Sequence, residues 1–169
     1  GSNWQVFTPS NSDLPNNSVS VIEENTNGDL WIGTGSGVSV FDGSNFTNYT
    51  PGNSNLPNPF VFDITFDNSI IWIATNGGLT KIDGSIWQTF NMQNSGLPLN
   101  LVRSVIVKSS TEVILGMSGQ GIAQLNPITT EWIYFNFSNS NLPNNYVNKM
   151  AIDLSNKVWI ATENGVAIY

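Results

Sequence analysis

The 169-residue sequence contains no cysteine and no histidine. Disulfide staples, thiolate chemistry and Cys/His zinc sites are thereby excluded, and so is a histidine-dependent catalytic triad. Charge is scarce as well. Only 10% of residues are Asp, Glu, Lys or Arg, against about a quarter in an ordinary soluble domain. Five basic residues, Lys81, Arg103, Lys108, Lys149 and Lys157, face twelve acidic ones, and the net charge is −7. Such a surface repels nucleic-acid backbones and anionic membranes, so no nucleic-acid partner is expected. No apolar run approaches the roughly 18 residues of a spanning helix, so no membrane insertion is expected either. A secretory leader pattern is missing at the N-terminus. Gly1-Ser2 resembles the scar of tag removal and no initiator Met is present, so the chain reads as a processed piece and the missing leader says nothing about targeting.

Asn, Ser, Thr and Gly stand where the charges would be, and they recur with a period. Leu-Pro occurs at Leu14-Pro15, Leu56-Pro57, Leu97-Pro98 and Leu142-Pro143, at spacings of 42, 41 and 45. Val19, Val61, Val102 and Val147 follow. An apolar segment, Leu30-Trp31-Ile32-Gly33-Thr34, returns as Ile71-Trp72-Ile73-Ala74-Thr75 and Val158-Trp159-Ile160-Ala161-Thr162. The third copy, Val113-Ile114-Leu115-Gly116-Met117, has lost its Trp, and an extra residue enters between Glu112 and Gly121. Aromatic pairs close each copy: Trp4/Phe7, Phe46/Tyr49, Trp87/Phe90 and Trp132/Phe135.

Each copy holds four short segments rich in Val, Ile, Thr and aromatics, as strands prefer. In the first they are residues 19–24, 29–34, 38–42 and 46–50, separated by Asn27-Gly28, Gly35-Ser36-Gly37 and Asp42-Gly43 turns. Four antiparallel strands every 40–45 residues define a propeller blade. The expected fold is therefore all-β, a β-propeller with four four-stranded antiparallel blades per chain. The repeats run over about 9–50, 51–90, 91–135 and 136–169. A blade must bury both faces against neighbours, so Trp31, Trp72 and Trp159 are expected in the core between blades.

The pattern Leu-Pro-Asn-Asn-x-Val, Leu-Trp-Ile-Gly-Thr-x-x-Gly-Val, Phe-Asp and an aromatic pair resembles the two-component regulator propeller repeat. The resemblance extends over essentially the whole chain and is weakest in the third copy. It implies a sensor propeller like those of hybrid histidine kinases and related secreted proteins. It also implies a periplasmic or extracellular location and a non-catalytic role, with a glycan or protein partner. No kinase segment is present.

The last repeat stops at Ala167-Ile168-Tyr169, and Asn3–Thr8 reads as its missing fourth strand. The ring is expected to close by pairing these N- and C-terminal strands, which removes open sheet edges. Closure within one chain gives a four-bladed monomer. Closure between two gives a homodimeric eight-bladed ring, favoured because the resembled family uses larger rings. In the narrow ring Asp63 and Lys149 should meet across the channel; in the wide one they should not.

The acidic residues sit mostly in repeat-equivalent turns, and Glu23-Glu24 alternate across a strand, so no catalytic pair is expected. No metal-ligand spacing is complete and no cofactor is expected. Positions where the repeats differ are better candidates. The first strands align Val21, Asp63, Ser104 and Lys149, preceded by Ser20, Phe62, Arg103 and Asn148. Asp63, Arg103 and Lys149 are the candidate ligand contacts in the channel. The rim carries Asn17, Asn58, Asn100 and Asn145, with Asn16, Asn76, Gln120, Asn144 and Asn164, neutral amides able to donate to and accept from sugar hydroxyls. The functional expectation is a ligand- or partner-binding propeller. The alternatives are a purely structural, assembly propeller and, with less support, a propeller-fold lyase or glycosidase.

Overall fold

The computed structural model describes residues 3–169. Blade one is β1 (Val19–Glu24), β2 (Leu30–Thr34), β3 (Gly37–Phe41) and β4 (Phe46–Tyr49). Blade two is β5 (Val61–Asp67), β6 (Ile70–Thr75), β7 (Gly78–Asp83) and β8 (Ile86–Phe90). Blade three is β9 (Val102–Ser109), β10 (Glu112–Met117), β11 (Gly121–Leu125) and β12 (Trp132–Phe135). Blade four is β13 (Val147–Ile152), β14 (Val158–Thr162) and β15 (Gly165–Ile168). Strands within each sheet are antiparallel and pair in sequence order. Among the described residues no helix is long and apolar enough to cross a membrane.

The repeat positions explain the hairpins. Gly37, Gly78 and Gly165 open the third strands at φ of 119°, 128° and 104°, in a region that favours glycine. The preceding Thr clamps each turn: Thr34, Thr75 and Thr162 donate Oγ1 to the carbonyls of Gly37, Gly78 and Gly165 at 2.8, 2.9 and 2.8 Å. Blade three has Met117 there and one residue more. Its longer turn is tied instead to the next blade, through Gly119 N and Gly121 N to Asn145 O at 3.0 and 2.8 Å.

A second knot joins each outer strand to the next blade. Asn53 Oδ1 accepts from Thr50 N, Asn53 Nδ2 donates to Asn48 O, and Ser54 Oγ donates to Thr50 O. The same three bonds recur at Asn91/Asn94/Ser95 and at Asn136/Asn139/Ser140. They recur again at Thr8/Asn11/Ser12. Much of the Asn and Ser content thus holds turns.

The core lies between blades. Trp31, Val38 and Tyr49 of blade one pack on Ile64, Ile73, Ile82 and Phe66 of blade two. Trp72, Leu79 and Phe90 of blade two pack on Val105, Leu115 and Leu125 of blade three. Ile114 and Ile122 of blade three pack on Met150, Val158 and Ile160 of blade four. Along the inner edge β1 lies beside β5, β5 beside β9 and β9 beside β13, and no comparable packing joins β13 to β1.

Three expectations are corrected here. Blade four has three strands, not four. Asn3–Thr8 forms no strand and does not pair with β15 within the chain. It lies instead at the opposite end of the run, where Phe7 packs on Phe41 and Phe46, both at 5.3 Å. Trp159 is 41% exposed and not in the core, because no further blade covers its face.

Candidate functional site: the inner wall of the blades

Each first strand carries a one-residue bulge, between Val19 and Val21, Val61 and Asp63, Val102 and Ser104, and Val147 and Lys149. A bulge re-aims side chains locally. The bulged residues are Ser20, Phe62, Arg103 and Asn148. The residues after the bulge, Val21, Asp63, Ser104 and Lys149, stand opposite Gly33, Ala74, Gly116 and Ala161. The alignment of variable inner positions read from the sequence therefore holds in three dimensions.

Asp63 is buried, with 2% of its surface exposed. Both of its carboxylate oxygens are engaged. Oδ2 accepts from Ser104 Oγ and Val105 N, both at 2.9 Å. Oδ1 accepts from Ile64 N at 3.1 Å and from Lys149 Nζ at 2.5 Å. Ser104 Oγ accepts in turn from Met150 N at 3.1 Å. One carboxylate thus links blades two, three and four. The Asp63–Lys149 pair forms although the run of blades is open, which corrects the expectation that it would require a narrow ring. The contact runs along the wall: the small Ser104 in the intervening blade leaves room for the long Lys149 side chain to pass over it.

Arg103 is exposed, and its guanidinium carbon lies 5.1 Å from the centre of the Phe62 ring, a cation–π arrangement between adjacent bulges. Among the described residues it has no carboxylate partner; the ion pairs are Lys81–Asp83, Lys108–Glu112 and Lys149–Asp63. Asn148 is exposed at the equivalent bulge of blade four.

At the rim, Asn58, Asn100 and Asn145 use Oδ1 to accept from Phe60 N, Met92 N and Phe137 N at 3.0, 2.8 and 2.9 Å. Asn144 accepts from Tyr146 N, and Asn16 both accepts from Ser18 N and donates to Ser36 Oγ. Asn17 is exposed and makes no side-chain hydrogen bond among the described residues. The bulge stacking of Arg103 on Phe62 was not foreseen. Aligned register could have found it, because neighbouring bulges in adjacent blades face the same way.

The acidic turn residues behave as caps. The backbone N–H groups of Asn45 and then Ser44 hold the Asp42 carboxyl below its ordinary value of 3.8. The Trp159 indole and then Lys157 N do the same for Asp153. Among the described residues no three acidic side chains come together as a metal site.

Stacked antiparallel blades with bulged inner strands, three of them four-stranded and the last three-stranded, define the protein as a β-propeller segment, four blades in an open run. Residues 13–36 match the family model of the two-component regulator propeller. The resemblance read from the sequence therefore stands. No curated protein sequence matches the chain. Among solved structures, it is similar to an extracellular domain of B. thetaiotaomicron assigned to the hybrid two-component system BT3049. That match has 27% identity and a TM-score of 0.80, over 92% of this chain and 22% of the other. The surface component PorZ of the Porphyromonas gingivalis type-IX secretion system shares the fold at 16% identity and a TM-score of 0.71, over 90% and 26% of the two chains. Virginiamycin B lyase of Staphylococcus aureus shares it at 15% identity and a TM-score of 0.67, over 90% and 55%. The chain thus spans about a fifth of the length of the two-component structure it resembles.

Proposed function

We propose that this chain is a non-catalytic recognition segment of a sensor propeller working outside the cytoplasm, and that its ligand is a glycan. The observation that carries the reading is the contrast on the inner wall. Asp63, the buried acid that could have served catalysis, has both oxygens committed to holding three blades together. Arg103 is exposed, pre-oriented on Phe62 and uncommitted to any carboxylate among the described residues. A planar five-donor guanidinium fits a carboxylate or vicinal hydroxyls, the groups that sugars present. The likeness to the extracellular domain of a hybrid two-component system, at 27% identity, supports the location and the sensing role. The lyase likeness is one of fold alone, at 15% identity.

Calorimetry with oligogalacturonate and with a neutral maltooligosaccharide of equal length tests this. The carboxylated sugar should bind, and Arg103→Gln should weaken it by about tenfold or more, the worth of one charge-assisted hydrogen bond. The neutral sugar should be less affected. Absence of binding to both sugars, or binding indifferent to Arg103→Gln, would turn the assignment toward a purely structural propeller.

A further inference from the structure

The place next to β15 has the shape of a missing strand. At the interior seams an outer-strand aromatic of one blade meets the first outer-strand aromatic of the next. Tyr49 meets Trp87 at 5.3 Å, and Phe90 meets Trp132 at 6.2 Å. The third member of the series is Phe135. It meets Tyr169 at 5.5 Å and borders a cavity of about 320 Å³ walled by Ile122, Phe135, Leu142, Ala167 and Tyr169. The residue of the repeat equivalent to Trp87 and Trp132 is Trp4, four positions before the Thr8 knot. Trp4 is 86% exposed.

The backbone tells the same story independently. A Cβ at Gly37, Gly78 or Gly121 would meet the carbonyl oxygen of Tyr49, Phe90 or Phe135 at 2.2 Å, because the outer strand crosses there. Gly165 keeps the left-handed conformation, φ 104°, with nothing among the described residues within 4 Å of that point. The occupant is pre-shaped too. Asn11 Nδ2 donates to Val6 O at 2.9 Å, as Asn53, Asn94 and Asn139 do in the paired outer strands. Phe7 meets Phe46 at 5.3 Å, as Tyr49 meets Trp87. Residues 4–8, though unpaired in a sheet, therefore already run where the outer strand of a blade next to blade one would lie.

We infer that this seam is closed by a second copy of the chain. Its Trp4–Thr8 segment adds as the fourth strand along β15, with Trp4 in the Phe135 cavity. By the register of β3–β4 and β7–β8, Trp4 pairs with Tyr169, Gln5 with Ile168, Val6 with Ala167 and Phe7 with Val166. The same contact made reciprocally joins two runs of four blades into a twofold ring and leaves no blade a strand short. The chain's own segment is held at the blade-one end by Phe7 on Phe41, where β1 has no packing against β13 comparable to that between the other first strands. A second copy brings an identical segment on a matching face, so the new seam continues the three that exist. This inference stands independently of the glycan reading.

The chain lacks cysteine, so Gln5→Cys with Ile168→Cys makes a clean reporter. Light scattering should give twice the 18.4 kDa chain mass, and mild oxidation of the double variant should give a covalent dimer. Trp4→Ala should raise the dimer dissociation constant by about thirtyfold or more, as loss of a central tryptophan anchor does. Trp4 is exposed within one chain, so this change should leave the melting of the isolated chain intact. A single-chain mass at high concentration overturns the inference, whether the two cysteines join within one chain or fail to join. So does a dimer that Trp4→Ala leaves as tight as before.

Discussion

Trp72 and Trp159 occupy the same position of the same repeat, yet one is 1% exposed and the other 41%. The local sequences around them, Ile-Trp-Ile-Ala-Thr and Val-Trp-Ile-Ala-Thr, are nearly identical, and both lie in the second strand of a blade. What separates them is whether the next blade is there. Trp72 meets Val105, Leu115 and Leu125 of blade three, whereas the equivalent face of blade four, with Val166 and Ile168, is bare. In a stacked fold burial is a property of the seam between repeats, not of the residue.

The largest consequence is in stability. Trp72→Ala should cost about 3–5 kcal/mol, the usual range for emptying a buried aromatic site. Trp159→Ala should cost about 1 kcal/mol or less in dilute single chains, since most of its partners are absent. Urea unfolding of both variants at low concentration measures the gap. Equal costs would mean that blade four is covered by something even then. At concentrations where two copies associate, the gap should narrow.

A smaller effect sharpens the comparison at the backbone. Alanine at Gly78 meets both an unfavourable φ of 128° and the Phe90 carbonyl at 2.2 Å. At Gly165 alanine meets the unfavourable φ alone. Gly165→Ala should cost about 1 kcal/mol, the strain of a non-glycine residue in that region, and Gly78→Ala clearly more. Thermal melts of the two variants check the order. If they melt alike, the crossing strand yields easily and its absence at Gly165 loses its meaning as a mark of a vacant place.

The blade architecture was legible because it is written four times. The four segments read in the first repeat fall on β1–β4 within a residue or two, and the inner alignment of Val21, Asp63, Ser104 and Lys149 survives the bulges. The end seam was not legible. Trp4 and Phe7 fit the outer-strand pattern, but pattern cannot say against which edge a strand lies when two edges are equivalent. The Asp63–Lys149 contact was expected of the narrow ring alone, and it forms in an open run instead. A spacing of two blades says nothing about whether the intervening side chain is a small serine that lets the pair meet along the wall. The candidate site was legible as a set of variable positions. The commitment of most rim amides to turn bonds depends on local backbone geometry, and the sequence identified them only as Asn.

The smallest effect concerns the acid range and again sets the bare end against the interior. The Asp153 carboxylate accepts from Trp159 Nε1 at 2.8 Å, and that bond, ahead of the one from Lys157 N, holds its ionisation below the ordinary value of 3.8. Among the described residues the buried Trp31 and Trp72 have no partner for their indole nitrogens. Because the folded-state value is lowered, the bond contributes stability above the unfolded-state value near 3.8. That contribution fades as pH falls through the lower folded-state value. Wild-type protein and Asp153→Asn should therefore differ in melting temperature at neutral pH and converge as pH falls below 3.8 and through the lowered folded-state value. Trp159 emission should shift over the same interval in the wild type only. Asp42 is lowered by the backbone N–H groups of Asn45 and Ser44 and not by an indole, so Asp42→Asn should leave the emission shift in place. If the shift persists in Asp153→Asn, the acid response belongs to another tryptophan, and Trp159 is not the reporter of the bare end.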